Sequence, residues 1–315
     1  MALKSGTAFL FPGQGSHHIG MGKELSEAYP EIKASFKKAK DTVGYDLFDI
    51  CLNGPEDKLN DTLYTQLCIY TLSYSIYKII EALDIKPQFV AGHSLGEYTA
   101  LTAAGVFKFE EGLRIVLTRA ELMSKEGKGR PGKMIAVLGS DLRTVEDVVK
   151  AISEYGIISI ANYNCPGQIV ISVEQRLSNM AVEELSKAGA KKVVMLPVSG
   201  AFHSLMMVEA EKQFGKFLDG FTFSNAEMPV IPNTLAQPVV DATTIRKAIA
   251  TQMSSSVKWQ QSIEQMIRLG VKTFVEIGPK QVLSNILRRI DRQVEVLTTE
   301  TPDSLAKAIT ALKAL

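Results

Sequence analysis

The feature that most constrains this chain is a change of rhythm along it. In its outer parts, short apolar runs alternate with amphipathic stretches, a pattern that requires a mixed α/β architecture. Thr7–Phe11 reads as a buried strand ending in a glycine-rich turn, residues 64–83 as a helix, and Phe89–Gly92 as a short strand. Leu95–Ala104 reads as a helix of small residues and Glu110–Glu126 as another helix. Further on, Lys272–Ile277 reads as a strand closed by Gly278-Pro279, then a helix through Ile290, a strand at Glu295–Thr298 and a helix at Pro302–Leu315. Between Met134 and Val198 the order becomes strand, helix, strand, strand, helix, strand. That β-α-β-β-α-β succession is the ferredoxin-like split unit. Glycines from Gly127 to Gly132 precede it and read as a flexible boundary; Val198-Ser199-Gly200 follows it. The expected organisation is a large α/β domain made of residues 1–127 and 199–315, interrupted by a small inserted domain at 128–198.

Composition narrows the function classes. Thirty-five Lys and Arg against 34 Asp and Glu give a net charge of +1, and no long basic run occurs, which argues against a nucleic-acid binder. Cys51, Cys68 and Cys165 form no CxxC pair and read as reduced thiols. No segment reaches the roughly 18 apolar residues of a membrane helix, and the first apolar run breaks at Pro12-Gly13, so a cytoplasmic protein is expected. Two phosphate-loop lookalikes fail. Gly13-Gln14-Gly15 lacks the third glycine at the required spacing, and Gly127–Lys133 is followed by Met134 where a hydroxyl is needed. The adjacent His17-His18 pair reads as a turn or site rim, because neighbouring side chains diverge; no metal is expected.

The chemical signal is Gly92-His93-Ser94-Leu95-Gly96, a G-x-S-x-G between an apolar strand and a small-residue helix. Glycines two residues either side of a serine allow a sharp strand-to-helix turn that exposes the hydroxyl above the sheet edge. The Leu95 N–H, at the helix start, would then point at a developing oxyanion. The alternative is a tight turn with no chemistry. A nucleophilic serine needs a base, and the chain has four histidines. His93 adjoins the serine and is poorly placed. His203, in a loop before an amphipathic helix, is favoured on position over His17 or His18. No acidic residue between 94 and 203 fits a third partner, which leaves a backbone carbonyl to orient the imidazole. Arg119 has Ile115, Val116, Leu122 and Met123 as its helical neighbours, so it lies on a buried stripe. A buried guanidinium needs an anion: either a structural carboxylate or a substrate carboxylate gripped bidentately.

These motifs, in this order, resemble the malonyl-CoA:acyl-carrier-protein transacylase family of bacterial fatty-acid synthesis. The resemblance runs from Phe9 to about Ile290 through FPGQGS (11–16), GHSLGEY (92–98), TRAELM (118–123), ANYNCPGQIVIS (161–172), SGAFHS (199–204) and EIGPKQVLSNILRRI (276–290). It implies a hydrolase-like α/β domain with a parallel sheet and a ferredoxin-like insert. It also implies Ser94 as acylated nucleophile, His203 as general base and acid, backbone N–H groups of Gln14 and Leu95 as oxyanion hole, and Arg119 on the malonyl carboxylate. Gln252 matches the glutamine whose main-chain carbonyl orients the histidine, ahead of a helix expected near Val257. Phe202 resembles the malonyl-preferring form of its motif; Asn162 and His93 are pocket-lining candidates. Malonyl-CoA and a phosphopantetheinylated acyl carrier protein are the implied substrates, with no resident cofactor. The sequence departs at His17, where a Gln is common, and at Lys280-Gln281. An acidic carrier would dock on cations such as Lys125, Lys128, Arg130 and Lys133, or Arg288, Arg289 and Arg292. The competing readings are a serine esterase or thioesterase, a stand-alone polyketide-synthase acyltransferase, and a non-catalytic carrier-docking module.

Overall fold

The computed structural model describes residues 3–198 and 200–315, with side chains from residue 6 onward. Met1, Ala2 and Ser199, the last of which opens SGAFHS, lie outside the described residues. The chain begins with β1 (Leu3–Phe11), followed by helices α1 (Lys23–Ala28), α2 (Pro30–Val43), α3 (Leu47–Asn53), α4 (Glu56–Asn60) and α5 (Thr62–Glu81). Next come β2 (Lys86–Gly92), α6 (Gly96–Ala103) and α7 (Phe109–Gly129). The middle block is β3 (Gly132–Leu138), α8 (Leu142–Ser153), β4 (Ile158–Cys165), β5 (Gln168–Glu174), α9 (Ser178–Lys187) and β6 (Lys192–Met195). The remainder is α10 (Val208–Leu218), β7 (Val230–Ile231), α11 (Ala242–Ala250), α12 (Trp259–Arg268), β8 (Thr273–Glu276), α13 (Val282–Ile290), β9 (Glu295–Thr298) and α14 (Pro302–Ala314).

Two sheets result. The first, in the order β7-β2-β1-β8-β9, is parallel throughout. Its central strand buries Ala8, Phe9, Leu10 and Phe11 completely or nearly so, because helices cover both faces; hence the unbroken apolar run in the sequence. The second sheet is antiparallel in the order β4-β5-β3-β6. Counted within the block, that is 2-3-1-4, the ferredoxin-like order read from the other edge.

The glycine-rich stretch differs from its expectation as a flexible boundary. Helix α7 runs through Gly129 and β3 starts at Gly132, so only Arg130 and Pro131 intervene. Gly127 is buried on α7, and a Cβ at Gly132 would sit 2.6 Å from the Ala201 Cβ. These glycines allow close packing rather than slack. Helix α12 begins at Trp259 rather than near Val257. Val257 is instead drawn to the edge of β4, accepting from Tyr163 N (2.9 Å) and donating to Ala161 O (2.8 Å). The segment between α11 and α12 is thereby pinned to the antiparallel sheet, and Ser256 Oγ adds a bond to Ile160 O (2.6 Å).

Candidate active site

Strand β2 delivers the chain to the centre of the parallel sheet, and the turn to α6 reverses it within four residues. A Cβ at Gly92 would lie 1.9 Å from the Gly96 carbonyl atoms, and one at Gly96 would lie 1.9 Å from Phe11 O. Both positions therefore admit only glycine. Ser94 between them has φ +52°, a left-handed conformation that costs a non-glycine residue on the order of 1–3 kcal/mol. Asn233 braces this strained elbow, accepting from Ser94 N (2.8 Å) and donating to Gly92 O (2.6 Å).

His203 lies opposite, buried and also left-handed at φ +56°. Ser94 Oγ donates to its Nε2 across 2.8 Å. Its Nδ1 donates to two backbone carbonyls, Gln252 O (3.0 Å) and Ser255 O (3.2 Å). Two acceptors at Nδ1 fix the tautomer, leaving the Nε2 lone pair toward the serine. The ring is further placed by His203 N donating to Met253 O (2.9 Å) and by Ser172 Oγ of β5 donating to Phe202 O. Burial, the nearby Arg119 charge and His93 push its pKa down to about 3, against the opposing pull of the carbonyls. The imidazole is therefore neutral at pH 7. No carboxylate contacts it among the described residues; carbonyls from a segment some 50 positions away stand in that place.

Arg119 reaches the same point from α7. It is completely buried, its Nη2 donating to Ser94 Oγ (3.1 Å) and to Gln252 Oε1 (2.9 Å). Nε also donates to Gln252 Oε1 (3.3 Å), and Nη1 donates to Gln66 Oε1 on α5 (2.7 Å). The guanidinium carbon stands 5.1 Å over the Tyr98 ring. The structural ion pair weighed from the sequence is absent among the described residues: amides, not a carboxylate, hold this cation. The nearest acid is Glu97, which faces Gln252 rather than Arg119 and whose carboxyl burial pushes up to about 7.

These groups line a cavity of about 100 Å³ together with Gln14, Gln66, His93, Leu95, Met123, Met134, Asn162, Leu196, Val198 and Phe202. Among the described residues the backbone N–H groups of Gln14 and Leu95 have no protein acceptor, and Leu95 stands at the N-terminus of α6, where the helix dipole favours negative charge. A Cβ at Gly13 would lie 2.4 Å from His93 O, which shows how closely the β1 turn approaches the elbow. Asn162 lines the cavity, and among the described residues its buried Oδ1 has no partner. His93 turns aside: its Nε2 donates to Asn164 Oδ1 (2.9 Å) and its ring sits edge-on to Trp259. His17 and His18 diverge. The first bonds Asn60 (2.8 Å), while the second is 3.9 Å from Glu300 at a separate cavity of about 260 Å³.

Of the candidate docking cations, Arg130 pairs with Glu126 (3.3 Å) and Arg289 is engaged by Gln168, Pro166 O and Gly167 O, tying α13 to the β4–β5 turn. All three cysteines are free and buried. Among the described residues no His, Cys, Asp or Glu cluster is placed to hold a metal, and no helix is long and apolar enough to cross a membrane. Sequence reasoning missed Gln66, Glu97 and Asn233. The first two carried a signal: each is a polar side chain on a helix otherwise buried on nearly every face. Asn233 carried none.

Comparison with known proteins agrees with this geometry. Residues 8–307 match the family model described as the acyl transferase domain. The malonyl CoA-acyl carrier protein transacylase of Bacillus subtilis (strain 168) is 38% identical over 307 residues, covering 97% of each chain. The crystal structure of the malonyl-CoA:acyl carrier protein transacylase from Xanthomonas oryzae pv. oryzae superposes with a TM-score of 0.95 at 35% identity, covering 98% of this chain and 99% of that one. A malonyl-transacylase solved in complex with its type II PKS acyl-carrier protein gives 0.94 at 33% identity, covering 98% and 100%. With a strained serine on a strand-to-helix elbow, a neutral histidine beside it and a family match over nearly its whole length, the chain belongs to the acyl transferase domain family and is an acyltransferase.

Proposed function

We propose that this protein transfers a malonyl group from malonyl-CoA to the phosphopantetheine thiol of an acyl carrier protein, through a malonyl-Ser94 intermediate. One observation carries the reading. A fully buried guanidinium stands 3.1 Å from the nucleophile's oxygen and is held by neutral amides, so an incoming carboxylate is the anion it lacks. An acetyl group would leave that charge without an anion, which makes Arg119 the selectivity element.

The cycle has two mirrored halves. His203 Nε2 takes the Ser94 proton as Oγ attacks the thioester carbonyl. The tetrahedral oxyanion is received by the N–H groups of Gln14 and Leu95. Its collapse breaks the C–S bond, and the imidazolium returns its proton to the CoA thiolate. In the second half His203 deprotonates the carrier thiol, which attacks the malonyl ester and regenerates Ser94. The Gln252 and Ser255 carbonyls stabilise the transient imidazolium, the work an acid does in a serine triad. Phe202, Asn162 and His93 line the cavity, and favouring transfer over hydrolysis requires water to be excluded or poorly placed once Ser94 is acylated. Each step uses the chain's own groups and the two substrates, with no resident cofactor or metal. Residues 128–198 act as the inserted small domain and 1–127 with 199–315 as the large one, in a cytoplasmic enzyme supplying extender units to fatty-acid synthesis and contacting neither nucleic acid nor membrane. The relatives named as transacylases, one of them bound to an acyl-carrier protein, support the donor and acceptor assigned here.

The test is malonyl transfer from CoA to purified carrier protein, with intact-mass detection of the acylated enzyme. A malonyl adduct on the wild-type chain that disappears on adding carrier is expected. Release to water at a rate indifferent to carrier would make the protein a thioesterase instead.

A further inference from the structure

We propose that Glu97 is a positioning residue for the transfer reaction, one carboxylate oxygen joining the brace of the Ser94 elbow to the amide that aims Arg119. The proposal rests on the malonyl-transfer reading above. Glu97 is the second residue of α6, is 1% exposed, and lines no part of the cavity. Its Oε2 accepts from Gln252 Nε2 (2.6 Å) and from Asn233 N (3.2 Å). Asn233 clamps the elbow at Ser94 N and Gly92 O. Gln252 does three things at once. Its main-chain oxygen receives His203, its Oε1 receives two Arg119 nitrogens, and its Nε2 also donates to Ser94 O (3.0 Å).

The orientation of the Gln252 amide is the critical point. Turned over, it would set an NH₂ group against the guanidinium, donor against donor, and Arg119 would lose both bonds that point it at Ser94. A strong acceptor at Oε2 prevents this by demanding the NH₂ on its own side. Burial pushes the Glu97 carboxyl up to about 7, yet the arrangement holds in both protonation states, because Oε2 accepts while a proton resides on Oε1. A neutral glutamine at 97 offers the same acceptor at nearly the same place; an aspartate withdraws it by one methylene.

The decisive experiment measures kcat and KM for malonyl-CoA and acetyl-CoA, with carrier protein as acceptor, for Glu97→Ala, Glu97→Asp and Glu97→Gln. Thermal melts accompany each. Loss of the acceptor that orients the Gln252 amide should lower the malonyl-to-acetyl ratio of kcat/KM at least about tenfold in Glu97→Ala and Glu97→Asp, chiefly through the malonyl KM. Glu97→Gln should restore the ratio to within about threefold of wild type. A purely structural role would lower the melting temperature and leave the ratio unmoved. Should the alanine variant fail to fold, the Asp and Gln variants carry the comparison. An unchanged ratio in Glu97→Asp, or a ratio as low in Glu97→Gln as in Glu97→Asp, overturns the proposal. Failure of the wild-type chain to take up a malonyl group at all would instead overturn the transfer reading on which it rests.

Discussion

The two halves of the site are built on opposite principles. The serine half is local: strand, glycine, serine, glycine and helix follow one another within a dozen residues, and mutual backbone approach dictates each glycine. The histidine half is assembled from afar. Its ring is held by Gln252 and Ser255, and its neighbouring carbonyl by Ser172 on the antiparallel sheet. The segment carrying those two carbonyls is itself pinned to β4 through Val257 and Ser256. The strained nucleophile is thus fixed by the close backbone approach of its own turn and of β1 against it, and its base by carbonyls on a segment pinned to the second sheet. Removal of a local part should abolish chemistry outright, whereas loosening the long-range part should degrade it by degrees.

Four experiments break or sharpen that contrast. The largest effect is expected from Ser94→Ala, which should remove the covalent malonyl adduct from the intact-mass spectrum and reduce transfer by about 10⁴-fold or more. An adduct that persists would move the nucleophile elsewhere. Next, Gly96→Ala forces a methyl group onto Phe11 O and should destabilise the fold by more than about 3 kcal/mol, read as a lowered denaturant midpoint. A wild-type midpoint would show that the elbow is less constrained than its contacts imply. Arg119→Ala should lower the malonyl-over-acetyl ratio of kcat/KM by about a hundredfold while leaving acetyl transfer measurable, since one charge-assisted anchor is lost. The smallest effect is expected from Ser256→Ala, which removes one bond between the histidine-holding segment and β4 and should cost about 1 kcal/mol of stability with a modest loss of rate.

Acidity tests the histidine half separately. With the His203 pKa depressed to about 3, the base form persists far below neutrality, so the rate of Ser94 acylation should change less than about twofold between pH 8 and pH 5. An ordinary imidazole would lose roughly tenfold of its base form for each unit below 6.5. The stability linkage has a definite sign. The folded pKa lies below the unfolded value, so the unfolded chain binds the extra proton and stability falls as pH drops from about 6.5 toward 3. A rate that halves near pH 6.5 would show that His203 is more exposed to water or less influenced by Arg119 than its surroundings indicate.

Much of the site was legible in the sequence because its signals are local. The alternation of runs predicted a mixed α/β fold, with strand Glu295–Thr298 matching to the residue, and the β-α-β-β-α-β order predicted the antiparallel sheet. The apolar neighbours of Arg119 announced its burial, since a helix face is written in residues three and four apart. The missing acid between 94 and 203 left a backbone carbonyl to hold the histidine, and Gln252 O stands 3.0 Å from its Nδ1. The glycines at 127–132 misled because glycine marks both slack and close packing, and only the neighbouring chain distinguishes them.

What the sequence determined by itself was therefore the elements, the elbow and the burial of a cation, all of them marked by residues within one or two turns of chain. What only the tertiary structure decided was the company these groups keep. Gln66, Asn233, Glu97 and the Gln252 side chain converge on Ser94 and Arg119 from four separate elements, three of them more than 25 positions from the nucleophile. No periodicity encodes that convergence. It follows from packing, because burying the guanidinium requires partners for its N–H groups, and the fold supplies them from distant segments.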